Sequence, residues 1–457
     1  MHIHILGIAG TFMGGVAAIA REAGHRVSGC DANVYPPMSD QLHSLGISFV
    51  EGFSADQLAF KPDLFVIGNV VSRGNPLMEA ILDARLPYRS GPQWLSETVL
   101  GSRPVLAIAG THGKTTTTAL CAFLLREGLQ LDIGYLIGGV AHDFVSSGHW
   151  GSPHAPFVIE ADEYDTAFFD KRSKFVHYRP HIAVLNNLEF DHADIFPDLS
   201  AIETQFHHLL RTMAQKAFVV LPAEGLADEA LGRVLARGCW SQLARFGAPH
   251  QGLWIAESRP VDRGQLMDVR LGEKSLGQAK LALPGSYNRH NSLAAMTAAH
   301  CLGLQPERAI EILGGFSGVR RRMEWRGSAR DVSVYDDFAH HPTAIEASLN
   351  AASELCSGRL IAVIEPRTNT MKLGAMAARL APSLKAADLV FCYAGGLSWD
   401  VATALSALGD KARVSTSLDE LVLAIADSAQ PNDLIVVMSN GGFGGIHERL
   451  LKALAQS

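Results

Sequence analysis

The chain has 457 residues, 47% of them hydrophobic, and its 39 basic and 46 acidic side chains give a formal charge of −7. This length predicts about three domains with sizeable cores. The charge balance and the lack of a sustained Lys/Arg run argue against a nucleic-acid partner. Small anionic ligands are still possible, because local backbone amides can bind them whatever the net charge. The six cysteines are scattered, the start MHIHILGIAG lacks a signal-peptide pattern, and no apolar stretch reaches about 18 residues. We therefore expect a cytoplasmic protein without membrane insertion.

The N-terminal segment predicts a nucleotide-binding βαβ unit. Residues 2–6 are predicted as a strand, 13–23 as a helix and 26–30 as a second strand that ends at Asp31. The connection GIAGTFMGG has GxxG instead of GxGxxG spacing, so the pattern is weak for a nicotinamide cofactor. Its glycines suit a pyrophosphate, with Asp31 near the ribose or base. A tight turn that packs helix on strand explains them equally well.

The segment VLAIAGTHGKTTTT, residues 105–118, predicts a phosphate-binding loop between a buried strand and a helix. Gly110 and Gly113 allow backbone N–H groups to close around phosphate oxygens, and Lys114 would reach the outer phosphates. The Thr115 hydroxyl would face Mg²⁺. The strict motif has glycine where Ile108 stands, so a glycine turn beside a solvated lysine is the alternative. The strand before the loop and the helix after it favour phosphate binding.

Carboxylates follow the next two apolar strands, predicted at 157–161 and 181–185. The first strand leads into FVIEADEYD, whose four carboxylates suit a hard cation. Glu160 is the best candidate ligand there, and a solvated acidic loop is the alternative. The second leads into NNLEFDHADIF, where His192 is either a metal ligand or a hydrogen-bonding histidine. Taken together with the phosphate loop, these groups predict a Mg²⁺ site beside ATP.

The sequence that follows predicts an antiparallel insertion at 244–283 and then another α/β block. In PGSYNRHNSLAA, Asn288 and Asn291 stand near a helix start, as N-caps or as nucleotide contacts. The run RRRMEWR at 320–326 is either a solvated face or a γ-phosphate clamp, and its place at a domain junction favours the clamp. Strands of the last block are predicted at 332–335, 360–364, 389–392 and 434–438.

We predict an α/β protein with three doubly wound domains in series. They are a nucleotide-binding Rossmann-like domain at 1–101, a central P-loop ATPase domain at 102–318 and a C-terminal Rossmann-like domain at 319–457. In the last domain, IEPRTNTMK follows an apolar strand, so Arg367 is expected on a ligand-binding loop at the carboxyl edge of the sheet. A structural salt bridge is the alternative role for Arg367.

Six segments, in this order and spacing, resemble the Mur ligases across essentially the whole chain: GTHGKTTTT, EADEYD, NNLEFDHAD, GSYNRHNSLAA, RRRME and YDDFAHHPT. GIAGTFMGG and DDFAHHP resemble the branch that acts on UDP-N-acetylmuramate. DANVYPPMSDQL, SGPQWLSE, DKRSKFVHY, IEPRTNTMK and MSNGGFGGIHE resemble its peptide-adding members. The resemblance implies an ATP-dependent amide-bond-forming ligase of peptidoglycan recycling and cell wall biogenesis, with Mg²⁺ as cofactor.

The resemblance also implies partners and residue roles. UDP-N-acetylmuramate, ATP and the murein tripeptide L-alanyl-γ-D-glutamyl-meso-diaminopimelate would react through an acyl phosphate, on a monomer or weak homodimer. The catalytic residues would be Lys114, Glu160 and His192, and the Mg²⁺ ligands Thr115, Glu160 and His192. The ATP-binding residues would be Gly110, Thr111, His112, Gly113, Lys114, Thr115, Thr116, Asn288, Asn291, Arg322 and Asp337. The UDP-sugar would bind to Gly7, Ala9, Gly10, Thr11, Gly14 and Asp31, and the peptide to His341, Arg367 and Asn369.

Two departures from the family pattern bear on these roles. The alanine-adding members have His where Tyr287 stands and Ser where Tyr164 stands, which leaves base stacking and sugar-acid contacts open. No lysine follows His192 at the spacing of the carbamylated lysine of some Mur ligases. A ligase that adds L-alanine alone is the first rival function. A nucleotide-sensing binding protein is the second, and the joint presence of Thr115, Glu160 and His192 argues against it, because a protein that only binds a nucleotide needs no double metal site.

Overall fold

The computed structural model describes residues 1–34, 38–101, 103–192, 195–261, 263–367, 371, 376–397 and 399–456. Its strands form three large sheets that follow one another along the chain, each packed against helices. The predicted α/β class and the series of three α/β domains are confirmed. Among the described residues, no helix is long and apolar enough to cross a membrane.

The first sheet is fully parallel, with strand order β3-β2-β1-β4-β5. Its strands are β1 (His2–Leu6), β2 (Arg26–Asp31), β3 (Ser48–Glu51), β4 (Leu64–Ile67) and β5 (Tyr88–Ser90). Its helices are α1 (Thr11–Glu22), α2 (Met38–Ser44), α3 (Pro76–Asp83) and α4 (Gly91–Leu95). The predicted βαβ unit is present, because the apolar strand β1 is covered on both faces and the chain crosses over through α1.

The central sheet has ten strands, in the order β17-β16-β15-β14-β13-β12-β6-β9-β7-β8. They are β6 (Val105–Ala109), β7 (Gly134–Leu136), β8 (Gly148–His149), β9 (Phe157–Glu160), β12 (Ile182–Leu185), β13 (Phe218–Pro222), β14 (Gln242–Phe246), β15 (Leu253–Val261), β16 (Gly264–Leu271) and β17 (Lys274–Leu281). A separate hairpin is formed by β10 (Asp165–Ala167) and β11 (Asp170–Ser173). The helices are α5 (Lys114–Leu129), α6 (Leu199–Thr212), α7 (Glu229–Ala236), α8 (Ser286–Cys301) and α9 (Pro306–Leu313). Antiparallel pairing of β15, β16 and β17 bears out the predicted insertion, which extends the central sheet.

The third sheet has the order β18-β19-β23-β20-β21-β22, parallel except at the β18 edge. Its strands are β18 (Glu324–Ala329), β19 (Val332–Asp337), β20 (Leu360–Ile364), β21 (Leu389–Tyr393), β22 (Ala412–Ser415) and β23 (Leu434–Met438). Helix α10 (Pro342–Ser353) begins beside the carboxyl edge, and further helices are Ala377–Ser383, Val401–Leu405, Leu418–Ser428 and Ile446–Gln456. Short 3-10 segments lie at Ala55–Phe60, Lys174–His177, Ser406–Lys411 and Phe443–Gly445, with a π-helical turn at Ser96–Leu100.

The first domain packs closely on the central one, and two glycines make this possible. The buried apolar side chains of the two domains form one continuous cluster that runs from β1 to α7. Helix α1 crosses strand β8 where Gly15 faces Gly148, and a Cβ atom on Gly148 would overlap the Gly15 carbonyl oxygen. Gly15 of GIAGTFMGG is thus a packing residue that lets α1 approach β8 closely.

Candidate active site

The phosphate loop runs from the end of β6 into the N-terminus of α5. Gly110 has φ of 136° and Gly113 has φ of 80°, a backbone region in which side chains other than glycine are strained. Gly113 is the N-cap of α5, so no capping side chain covers the first N–H groups of the helix. A Cβ on Gly113 would also overlap Asn291 Oδ1. This uncovered helix N-terminus is suited to an anionic phosphate.

Lys114 is the first residue of α5, and it is held between the loop and two carboxylates. Its Nζ donates to the Gly110 carbonyl at 2.7 Å, lies 3.1 Å from Glu163 Oε2 and lies 3.8 Å from Asp162 Oδ1. Burial by itself lowers the pKa of Lys114, but the negative charges of Glu163, Asp162 and Glu160 outweigh it and raise the pKa. The ammonium therefore stays charged at neutral pH.

Thr115 and Glu160 meet directly beneath the loop. Thr115 Oγ1 lies 3.3 Å from Glu160 Oε1, while Glu160 Oε2 accepts the Gly138 backbone N–H at 2.9 Å. Burial raises the pKa of Glu160, and the positive charge of Lys114 opposes the shift. Arg322 approaches from the third sheet, with Nη2 at 3.4 Å from the same Thr115 hydroxyl. The run that contains Arg322 thus reaches the phosphate loop, as its position at the domain junction predicts.

His192 approaches Lys114 from the other side, through Glu163. Its Nε2 lies 3.5 Å from Glu163 Oε1, and the Tyr164 ring packs edge-on at 5.1 Å between centroids. Burial lowers the pKa of His192, but Glu163 and the neighbouring carboxylates outweigh it and raise the pKa. Glu160 and His192 therefore both lie beside the phosphate loop. Glu160 contacts Thr115 directly, whereas His192 contacts Glu163, the partner of Lys114.

The donor atoms around Lys114 suit a hard divalent cation. Thr115 and Glu160 present oxygens on one side, and potential ligand atoms of Asp162, Glu163 and His192 lie within 4.8 Å of one another on the other. Mg²⁺ prefers such carboxylate and hydroxyl oxygens. Asn186 Oδ1 is buried beside the loop and has no hydrogen-bond partner among the described residues.

The two asparagines of α8 lie behind the loop. Of the two roles left open for Asn288 and Asn291, the N-cap role is excluded, because α8 begins at Ser286 after the N-cap Gly285 and both asparagines lie inside the helix. Each is 3% exposed. Asn291 Nδ2 is 3.4 Å from Asn288 Oδ1, and Asn291 Oδ1 faces Gly113. Asn291 therefore packs against the loop at Gly113, whereas Asn288 donates to the Pro284 carbonyl at 2.8 Å.

Asp337 ends β19 and uses its carboxylate within its own domain. It accepts hydrogen bonds from the backbone N–H groups of Met323 at 2.7 Å and Ala339 at 2.8 Å, and from Ser348 Oγ at 3.1 Å. The bond to Met323 fixes the segment that carries Arg322. The side chain therefore orients the arginine that reaches Thr115.

A second polar cluster joins the phosphate loop to the third sheet. Glu189 Oε2 accepts the Thr343 hydroxyl at 2.7 Å, lies 3.7 Å from His112 Nε2 and lies 4.0 Å from His341 Nδ1. The nearby His112 imidazole lowers the pKa of Glu189 to about 2, and burial lowers the pKa of His341 to about 4. His341 is the N-cap of α10 and accepts the Thr343 N–H. Glu189 therefore contributes a negative charge at a helix N-terminus across the domain boundary.

The loop after β20 carries the predicted peptide-binding arginine. Arg367 is about half exposed, and its Nη1 lies 3.9 Å from Glu365 Oε1. Glu365, Arg367, Tyr393 and Leu397 line a cavity of about 200 Å³ at the carboxyl edge of the sheet. Asn369 lies outside the described residues.

The predicted UDP-sugar loop follows β1. Gly7 has φ of 81°, Gly10 is the N-cap of α1 and Gly14 packs against Met38. Asp31 accepts the Ala9 N–H at 2.9 Å through Oδ2. Asp31 thus holds the loop in shape, and its role towards a ribose or base stays a prediction. Thr11 begins α1 beside this loop.

Three domain descriptions of one family match successive parts of the chain. The Mur ligase family catalytic domain matches residues 2–103, the Mur ligase middle domain matches 108–299, and the Mur ligase glutamate ligase domain matches 321–441. The chain belongs to the Mur ligase family.

Similar proteins cover this Mur ligase from end to end. It is 51% identical to the UDP-N-acetylmuramate--L-alanyl-gamma-D-glutamyl-meso-2,6-diaminoheptandioate ligase of Escherichia coli (strain K12), over 100% of the chain and 99% of the relative. It is 30% identical to the UDP-N-acetylmuramate--L-alanine ligase of Syntrophomonas wolfei, over 100% and 97% of the two chains. A crystal structure of a murein peptide ligase from Psychrobacter arcticus 273-4 superposes with a TM-score of 0.76 at 42% identity, covering 100% of this chain and 99% of that one.

Sequence reasoning missed several site residues of this Mur ligase. Glu163 is 1% exposed and is the carboxylate nearest to Lys114, although Glu160 stood out because it ends the predicted strand. Lys174 reaches Asp162 at 2.9 Å from a segment that carries no phosphate-binding pattern. Thr343 contacts Glu189 across a domain boundary. Local sequence gave no signal for the last two contacts, because both depend on how distant segments pack.

Proposed function

We propose that this Mur ligase joins UDP-N-acetylmuramate to the tripeptide L-alanyl-γ-D-glutamyl-meso-diaminopimelate, with ATP as co-substrate, in peptidoglycan recycling. Identity to the tripeptide ligase of Escherichia coli is 51%, against 30% to an alanine ligase, each over the full chain. The observation that carries the chemistry is the position of Lys114, held at 2.7 Å from the Gly110 carbonyl beside Thr115, Glu160 and Arg322. That arrangement is suited to phosphoryl transfer.

The proposed reaction has two steps. An oxygen of the lactyl carboxylate attacks the γ-phosphorus of ATP and ADP leaves, which forms an acyl phosphate. The uncharged N-terminal amine of the peptide then attacks the acyl carbon, the amide bond forms, inorganic phosphate leaves and the nitrogen loses a proton. Lys114 and Arg322 offset the negative charge that builds up on the transferred phosphoryl group.

Mg²⁺ is the proposed cofactor, and the oxygen-rich donors fit it. Thr115 and Glu160 would hold one ion near the phosphates, and His192 would hold a second together with its carboxylate neighbours. The ion supplies positive charge against the phosphate oxygens. Gly110, Thr111, His112, Gly113 and Thr116 would contact the ATP phosphates through the loop, with Asn288, Asn291 and Asp337 around the rest of the nucleotide.

The three domains would divide the substrates between them. Residues 1–101 would bind the UDP-sugar through Gly7, Ala9, Gly10, Thr11, Gly14 and Asp31, and residues 102–318 would bind ATP. Residues 319–457 would bind the peptide through His341, Arg367 and Asn369. All six cysteines are free thiols in the described structure, which supports a cytoplasmic location. A monomer or weak homodimer stays our prediction.

One assay tests the proposal. Phosphate release is measured with ATP, Mg²⁺ and UDP-N-acetylmuramate, with either the tripeptide, free L-alanine or no amine added. We expect fast release with the tripeptide and slow release otherwise. Preference for free alanine would assign the protein to the alanine ligases, and a lack of release with every amine would indicate a nucleotide-binding protein without turnover.

A further inference from the structure

Lys174 is a buried lysine at the place where the first domain meets the carboxylates around Lys114. It begins a 3-10 segment after the β10–β11 hairpin and is 9% exposed. Its Nζ lies 2.9 Å from Asp162 Oδ2 and 5.6 Å from the ring centroids of both Phe12 and Tyr164. Phe12 lies in α1, directly after the proposed pyrophosphate loop. The ammonium therefore stands between the two glycine loops of the enzyme.

A simple structural ion pair explains this burial incompletely. Taking an ammonium out of water costs several kcal/mol unless charge and hydrogen bonds compensate for it. Asp162 is shared, since its other oxygen lies 3.8 Å from Lys114 Nζ. An ammonium has three N–H donors, and in the described part of the chain Asp162 is the one side-chain acceptor in hydrogen-bond range of Lys174. The Phe12 and Tyr164 rings also lie near the ammonium, and aromatic faces attract a cation without using its N–H groups fully.

We infer that Lys174 binds the lactyl carboxylate of the sugar-acid substrate, an inference that rests on the proposed function. The diphosphate of that substrate would lie on the loop that precedes Phe12, and its carboxylate must reach the γ-phosphate near Lys114. A cation between these two points pairs with the carboxylate and screens its repulsion from the phosphate. The pairing also holds one carboxylate oxygen towards the phosphorus. Lys174 is then the residue that distinguishes an acidic UDP-sugar from a neutral one.

Two nucleotides and two matched variants test the assignment on the full-length enzyme. UDP-N-acetylglucosamine has the same sugar nucleotide without the lactyl group. Lys174→Met removes the charge and keeps the aliphatic stem. The control Lys171→Met, three residues before Lys174, removes an exposed lysine that pairs with Asp165. Binding of each nucleotide is measured by titration calorimetry. We expect Lys174→Met to weaken UDP-N-acetylmuramate binding roughly tenfold to hundredfold, the range for a hydrogen bond to a charged group.

The comparison between nucleotides decides the outcome. Binding of UDP-N-acetylglucosamine should be unchanged in Lys174→Met, and Lys171→Met should change neither affinity. An equal loss for both nucleotides would assign Lys174 a structural role, and an unchanged affinity for UDP-N-acetylmuramate would also overturn the inference. If Lys174→Met does not fold, Lys174→Arg decides: preserved discrimination supports the carboxylate contact, and lost discrimination overturns it. Wild-type enzyme that binds UDP-N-acetylmuramate no better than the neutral nucleotide would contradict the proposed function as well.

Discussion

At the residue scale, the charge of Lys114 depends on a buried partner. Glu163 is 1% exposed, lies 3.1 Å from Lys114 and also contacts His192. In this environment the lysine and the glutamate stabilise each other, and the loss of either one leaves the other buried without its nearest partner. A single substitution therefore changes catalysis and stability together, and the two effects have to be separated.

We predict that Lys114→Met lowers the ligation rate at least about a hundredfold, because a cation is lost from the transition state. Burial of Glu163 without its lysine should also lower the free energy of unfolding, by up to about 3–5 kcal/mol. The double variant Lys114→Met with Glu163→Gln should recover most of the stability and none of the rate. Urea unfolding and phosphate release measure the two quantities, and activity that returns with stability would contradict the assigned ATP site.

Arg367 should act on one substrate only. Its guanidinium, about half exposed beside the cavity at the sheet edge, is placed to pair with a peptide carboxylate. Arg367→Ala should raise the KM for the tripeptide roughly tenfold or more and leave the KM for ATP unchanged, since it weakens the binding of a single substrate. Arg413→Ala in β22, where the side chain bonds to Ser428, is the control. An unchanged tripeptide KM in steady-state kinetics would leave Arg367 with a structural role.

His4 should make stability depend on pH. Burial lowers the pKa of His4 to about 4 in the folded protein, while its ring accepts or donates hydrogen bonds at Ser28 and Gln57. The unfolded chain, with its ordinary pKa, therefore binds more protons below pH about 6.5, so stability falls as pH decreases from there towards 4. The contribution is at most about 3 kcal/mol. His4→Gln should flatten the slope of unfolding free energy against pH measured with urea, and an equally steep slope would rule out His4 as the source.

At the element scale, the sequence was informative wherever local pattern controls structure. Apolar runs bounded by glycine or charge marked β1, β6, β9, β19 and β20, and the glycine loop before α5 marked the phosphate site. Strand β18 was not predicted, because the charges of RRRMEWR indicate a solvated face or a clamp instead of a strand. The pairing of β18 with β19 is a tertiary contact that the local sequence does not indicate. Contacts between distant segments, such as Lys174 with Asp162, carry no local signal.

The crossing of α1 over β8 shows a packing requirement within the glycine motif. A Cβ on Gly148 would overlap the Gly15 backbone, which cannot move aside as a flexible side chain can. Gly148→Ala should therefore cost about 1–3 kcal/mol, the usual range for overpacking, and should raise the KM for UDP-N-acetylmuramate. Gly232→Ala in α7, with open space around it, is the control and should be neutral or slightly stabilising. Thermal unfolding and kinetics measure both variants; equal behaviour would show that the crossing tolerates a methyl group.

At the scale of the whole molecule, the proposed division of substrates would require the central and C-terminal domains to stay together around ATP and the peptide. The polar contacts that span that boundary at the phosphate loop include Arg322 with Thr115 and Thr343 with Glu189. Glu189 stays ionised down to low pH, because its pKa is lowered to about 2. The hydroxyl of Thr343 therefore donates to a charged acceptor, which is worth about 1.5–3 kcal/mol to the closed arrangement.

Thr343→Val should consequently shift the enzyme towards more open arrangements. We expect a larger radius of gyration in small-angle X-ray scattering without ligands, and a return to the wild-type value when ATP, Mg²⁺ and UDP-N-acetylmuramate are added, since ligands that bind the closed form shift the population towards it. The value of kcat/KM should fall roughly tenfold, because part of the binding free energy is used for closure. Thr212→Val is the control, since its hydroxyl bonds to Leu209 within α6. If Thr343→Val gives wild-type scattering and kinetics, Glu189 must be held by His112 and Arg379 instead, and the hydroxyl contributes nothing to closure.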